Sequence, residues 1–265
     1  MDIFDTLKEQ ALVKFLEKSM HKGWDNFYLV YQPIVSLNDS AISIVGAESL
    51  ARCNDQMLGK NITPDRFIPV IENNPELCQS FGEFVMNKVA QDAQEYNFSF
   101  PISINISPSQ LNDIGRFDKL LQKYKKDFLD KKFKLEITEG KVLRVEGVEY
   151  LNQIHLDGYT IWCDDLGTGQ NTLSGLVDKE FYSGIKIDKS FVKKADFSKG
   201  NRSSIITKGM IDICLKLDID IIVEGIETRD QAEYLGKIPR VTLQGNYFSK
   251  PVSGKEIVSL YKLND

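Results

Sequence analysis

The sequence predicts a closed (β/α)8 barrel with one antiparallel strand, on three observations. Strand and helix patterns alternate along most of the chain. Nearly every strand ends on a carboxylate, amide or ammonium. The first two strands are joined by a link too short for a helical crossover. An open doubly wound sheet could be built from the same alternation, but the strand number and the spread of polar strand ends favour the barrel.

The elements follow in order. Charges throughout "MDIFDTLKEQALVKFLEKSM", with apolar residues at Ile3, Leu7, Ala11, Phe15 and Leu16, describe an amphipathic helix and not a signal peptide. "FYLVYQPIV" and "AISIVGAESLAR" are strands joined by "SLNDS", hence antiparallel. Helical patterns follow at about 64–73 and 78–96, then the strand "PISINIS" and a helix over about 108–128. From there the strands "FKLEIT", "YTIWCD", "GIKID", "IDIIVE" and "RVTLQG" alternate with helices at about 145–156, near Leu173, at 202–217 and 229–235, and a last helix starts at Ser253. The expectation is one TIM-like domain over residues 1–265, with residues 1–26 forming a helical segment packed on the barrel.

Bulk properties narrow the function. A net charge of -5 and a pI near 5.3 exclude a broad basic surface for a nucleic-acid polymer. The basic stretch "LLQKYKKDFLDKKFK" carries apolar residues at helical spacing and reads as a solvated helix face. Cys53, Cys78, Cys163 and Cys214 form no C-x-x-C pair, which fits reduced thiols and a cytoplasmic setting. No apolar run is long enough to span a membrane. Trp24 and Trp162 are assigned to packing.

The strand ends carry Glu48, Asn105, Glu136, Asp164 with Asp165, Lys186 with Asp188, Glu224 and Gln244. Singly, each has a bland structural explanation. On one barrel face, Glu48, Glu136, Asp164, Asp165 and Glu224 would repel one another unless cations neutralised them. His21 and His155 fall on helices away from this ring, so the ligands are hard oxygens and Mg²⁺ or Mn²⁺ is preferred. That many carboxylates suit two ions roughly 4 Å apart, the arrangement that hydrolyses phosphate esters. Asp164 can bridge while Asp165, at the strand's end, reaches the second ion. Lys186 is then a cation near the scissile phosphate or the attacking water. Glu139 falls in the loop after its strand.

These residues resemble a known family. "YQPIV", "GAESLAR", "INIS", "LEITEG", "DDLGTG", "IKIDKSFV", "VEGIET" and "QGNYFSKP", in that order, are similar to the motifs of the EAL domain of bacterial cyclic di-GMP phosphodiesterases, with Glu48-Ser49-Leu50 at the signature triad. The resemblance implies metal-dependent hydrolysis of cyclic di-GMP to linear pGpG by a homodimer. It implies that Glu48, Asn105, Glu136 and Asp164 hold one ion, and Asp164 and Asp165 the other. Lys186 and Glu224 would position or deprotonate water, and Arg52 and Gln32 would contact substrate. Glu139 would anchor the loop after Asp165, with Asp188, Glu227 and Gln244 in support.

The sequence departs from the family pattern at Ser49 and at "LGTGQNT", where Leu166 replaces Phe and Gln170, Asn171 and Thr172 replace the usual tail. That loop, in the family, links the second metal to dimer packing. Two alternatives stay open: a catalytically silent cyclic di-GMP receptor or protein-interaction module, and a barrel phosphodiesterase acting on another phosphate ester.

Overall fold

A computed structural model describes residues 3–38, 41–54, 62–138, 142–166, 176 and 179–264, without side chains at 3–8, 38 and 262–264. The eight strands are β1 (Phe27–Asn38), β2 (Ala41–Cys53), β3 (Ile102–Ile106), β4 (Phe133–Ile137), β5 (Ile161–Leu166), β6 (Gly184–Ile187), β7 (Asp220–Val223) and β8 (Val241–Leu243). They close in sequence order into one barrel. β1 is antiparallel to both neighbours, β2 and β8, and every other pairing is parallel. The closing seam is short, a single Val35 to Leu243 pair, and Tyr31 adds an antiparallel bridge to Val252.

The helices are α1 (Ile3–His21), α2 (Pro64–Asn73), α3 (Pro75–Tyr96), α4 (Ile114–Lys123), α5 (Lys125–Leu129), α6 (Val145–Leu156), α7 (Lys189–Val192), α8 (Arg202–Lys216), α9 (Arg229–Leu235) and α10 (Gly254–Asn264). α3 starts three residues earlier than its periodicity suggests, because Asn74 caps it by accepting from the Glu76 and Leu77 amides. It stops at Asn97, in the left-handed region at φ 53°.

Three expectations are corrected. The single helix over 108–128 is a 3-10 turn, Pro108–Asn112, followed by α4 and α5. Ser107 and Gln110 form a capping box around the turn, and Asp113 then leaves helical geometry to cap α4 through the Arg116 amide. In α1 the expected Phe15 and Leu16 do pack on the core, but Ala11 is exposed and Leu12 is buried in its place. The short α7 has no counterpart in the periodicity. The helix expected near Leu173 lies outside the described residues, apart from the buried Leu176.

Trp24 packs edge-on against Phe27 and Phe81 beneath α1 and α3, continuing a core made of strand and helix apolar residues. No described helix is long and apolar enough to cross a membrane.

Candidate active site at the carboxyl ends of the strands

Side chains alternate along a strand, so residues two apart share a face. In β4 this sends Lys134 and Glu136 into the barrel, in β5 Trp162 and Asp164, and in β6 Gly184 and Lys186. The upper members meet. Lys186 is fully buried, and its Nζ lies 3.0 Å from Glu48 Oε2, 3.1 Å from Glu136 Oε2, 3.1 Å from Asp164 Oδ1 and 2.6 Å from Glu224 Oε1.

Glu48 is held from three sides. Besides Lys186, its Oε1 accepts from Asn105 Nδ2 at 2.8 Å, and its Oε2 accepts from Gln244 Nε2 at 2.8 Å. Gln244 also donates to Gln32 Oε1 at 3.3 Å, and Gln32 Nε2 donates to the Ser249 carbonyl at 3.2 Å. Thus β1, β2, β3 and the segment after β8 are tied together around one carboxylate.

The electrostatics reflect four acids sharing one ammonium. Burial pushes the Glu136 carboxyl up to about 7 and that of Glu224 up to about 8, with Lys186 only partly offsetting the cost. Asp164 is raised for the same reason. Glu48 goes the other way: burial raises it, but Lys186 and the amides of Asn105 and Gln244 outweigh burial and lower it. Lys186 is held well above its ordinary value, because the carboxylates more than offset its own desolvation.

Asp165 breaks the alternation. Its φ is 52°, and the β5 to β6 register shifts between Cys163 and Leu166. An ordinary strand would turn Asp165 away from Asp164. The bulge instead leaves a carboxylate oxygen from each of Asp164, Asp165 and Glu224 within 4.8 Å of one another. A second such group is Glu48, Glu136 and Asp164, so Asp164 belongs to both.

This donor set fits hard divalent cations. Among the described residues the groups consist of carboxylates alone, and the neighbouring Asn105 Oδ1 and Gln244 Oε1 are buried acceptors with no hydrogen-bond partner. Lys186 neutralises only one of the charges, so the repulsion argument holds even with an ammonium resident among the acids.

Beside the cluster lies a cavity of about 610 Å³. Arg52, Asn105, Asp164 and Asp165 line it on one side, while Ile68, Ile71, Glu72 and Phe81 of α2 and α3 line the other. Sequence reasoning assigned no site role to α2 or α3, although "FIPVIEN" places Glu72 next to the apolar stripe that packs on the barrel. Arg52 is half-buried, and its guanidinium donates to the Ala51 carbonyl.

Other candidates stand apart. Asp188 caps α7 by accepting from the Ser190 amide at 2.8 Å, and Glu227 is exposed, its backbone amide donating to Gln231 Oε1. Neither is an ion-pair partner of Lys186. Glu139 and most of the loop after Leu166, including Gln170, Asn171 and Thr172, lie outside the described residues.

A family model described as EAL domain matches residues 16–251. A curated relative from Escherichia coli (strain K12), named probable cyclic di-GMP phosphodiesterase PdeG, is 35% identical over 254 residues, covering 92% of this chain and 48% of its own length. The chain spans only 30% and 35% of two further curated relatives. Among solved structures, the EAL enzyme Bd1971 in its cAMP and cyclic-di-GMP bound form superposes with a TM-score of 0.78 at 28% identity, covering 97% of this chain and 70% of that one. The PaMucR phosphodiesterase in complex with c-di-GMP shares the fold at a TM-score of 0.77 and 24% identity, covering 91% of this chain and 99% of its own.

Proposed function

The chain belongs to the EAL domain family, and from that membership we propose that it is a divalent-cation-dependent phosphodiesterase that hydrolyses cyclic di-GMP to linear pGpG. The observation that carries the reading is the convergence of Glu48, Glu136, Asp164 and Glu224 on Lys186, with Asp165 turned toward Asp164. The name of the Escherichia coli relative and the cyclic-di-GMP bound form of Bd1971 support the choice of substrate.

In this proposal Glu48, Asn105, Glu136 and Asp164 hold one Mg²⁺ or Mn²⁺, and Asp164 and Asp165 the other. Bound cations would supply charge neutralisation at the phosphate and a more acidic water. Glu224 accepts the proton of the attacking water. Lys186 keeps a positive charge beside the phosphate oxygens, and Arg52 contacts the phosphate from the cavity wall. Water adds to phosphorus as one phosphorus–oxygen bond of the ring breaks, leaving a terminal phosphate and a hydroxyl.

Gln244 keeps Glu48 and Gln32 in place, and Gln32 contacts the substrate. The apolar wall from α2 and α3 accommodates a purine base. Asp188 supports the site through the turn it caps, while Glu139 and Glu227 are assigned from the family pattern alone. A homodimer belongs to the same proposal, and sedimentation velocity tests it.

The direct test incubates the protein with cyclic di-GMP and Mg²⁺ or Mn²⁺ and follows pGpG by chromatography. Turnover with either metal, abolished by chelation, is the expected result. Binding without hydrolysis would replace the enzyme with a nucleotide receptor, the reading for which the altered "LGTGQNT" speaks.

A further inference from the structure

Two residues below the carboxylate cluster, toward the amino ends of the parallel strands, the barrel interior is built from different material. The same alternation that brings the acids together places Ile34, Gly46, Lys134, Trp162, Gly184 and Ile222 at this lower level. Gly184 makes room for Trp162: a Cβ there would stand 2.5 Å from the indole ring atoms. Gly46 likewise presents no side chain. Beside this layer a cavity of about 250 Å³ remains, with Asp220 and Arg240 at the strands' amino ends in its lining.

Lys134 lines this cavity with its Nζ 4.9 Å from the centre of the Trp162 ring. Among the described residues no carboxylate comes within ion-pair distance of it. Arg240, by contrast, is held by Asp218 and Asp220. Trp162 is 5% exposed, and its indole N–H is buried with no hydrogen-bond partner. The wall thus contains an ammonium that Glu136 and Asp220 attract only from beyond ion-pair distance, among the apolar surfaces of Ile34, Val45 and Ile222.

We propose that this cavity is a second binding site, taking a small carboxylate with a short apolar body, whose carboxylate pairs with Lys134 and whose apolar part packs against Ile34, Val45 and Ile222. One ammonium with Glu136 and Asp220 acting on it suits a monoanion better than a phosphate dianion. The volume is below the range typical of drug-sized ligands, so a cyclic dinucleotide is too large for it. The proposal stands on residues the phosphodiesterase reading does not use.

The chain has two tryptophans, Trp24 and Trp162, so Trp24→Phe leaves Trp162 as the sole indole reporter, directly beside Lys134. This protein is titrated with 3-methylbutanoate, with its neutral isostere 3-methylbutan-1-ol, and with inorganic phosphate, without metal or nucleotide. A saturable change in Trp162 emission with the acid and none with the alcohol or phosphate is expected. In Lys134→Met the acid should bind about tenfold more weakly or worse, the loss typical of a charge-assisted contact.

No saturable response to the acid, an equal response to the alcohol, preference for phosphate, or unchanged affinity in a natively folded Lys134→Met protein would overturn the proposal. Calorimetry on the unsubstituted chain repeats the comparison of acid and alcohol, so the outcome does not depend on the folding of either variant.

Discussion

Lys186 Nζ lies 2.6 Å from Glu224 Oε1, the shortest of the four contacts through which one buried ammonium holds Glu48, Glu136, Asp164 and Glu224 together. Removing it leaves acids crowded without a counter-charge. Lys186→Met should lower the stability of the metal-free protein near neutral pH by about 3 kcal/mol, the cost of breaking a buried pair. Urea denaturation in the presence of a chelator measures this, and added Mg²⁺ or Mn²⁺ should recover part of it.

The acid shifts give a pH dependence with a definite sign. Glu136 is raised to about 7 and Glu224 to about 8, so the folded state binds protons that the unfolded chain has already released. Their contribution is full below the ordinary carboxylate range and is lost as pH rises through 7 and 8. Lys186, raised above its ordinary value, and Glu48, lowered, stay constant over that window. The melting temperature of the metal-free protein should therefore fall from pH 5 to pH 8.5, and the increment from Mn²⁺ should grow across the same range. A flat metal-free profile would contradict the cluster's electrostatics.

Glu48→Gln tests the ligand assignment with little change of shape. The side chain retains an oxygen to accept from Asn105 or Gln244, so the fold should persist while one buried charge is lost. Turnover of cyclic di-GMP should drop by on the order of a hundredfold or more, and the metal-induced rise in melting temperature should shrink. Near-wild-type turnover would remove Glu48 from the proposed metal set.

Asp165 separates backbone from charge. Its φ of 52° is tolerated by Asn and penalised in Ala. Asp165→Asn should keep wild-type stability but lose metal-dependent turnover, whereas Asp165→Ala should also lose about 1 kcal/mol of stability. Equal activity in Asp165→Asn and the unsubstituted protein would mean that this carboxylate holds no cation.

Gly184→Ala probes the lower layer. The added methyl meets the Trp162 indole at 2.5 Å, so a loss of about 1–3 kcal/mol is expected from overpacking. Adding Trp162→Leu should relieve most of it. Thermal unfolding of the two variants checks the pairing, and additive losses would show that the indole is not what Gly184 accommodates.

Much of this was legible in the residues, and the limits are physical. Local periodicity revealed the strands because an inward carboxylate or amide at each strand end follows from alternation, which acts over two residues. The short link before Ala41 announced the antiparallel β1. Periodicity failed where a single side chain overrode it: Asp113 ended one helix by capping the next, and Asp188 capped a turn of helix too short to show a period. The cavity wall from α2 and α3 went unread because nothing local says which face of a helix will border a strand's end.

The sequence by itself determined the barrel, its one reversed strand and the set of oxygen-bearing residues at the strand ends, since these depend on spacing and side-chain chemistry. The tertiary structure alone decided that Lys186 stands at the centre of the acids, that a bulge turns Asp165 toward Asp164, and that Gly184 lies under Trp162, whose ring faces Lys134. Those relations join residues on different strands. They depend on how closure of the barrel sets the register between strands, and no local pattern of residues encodes that register.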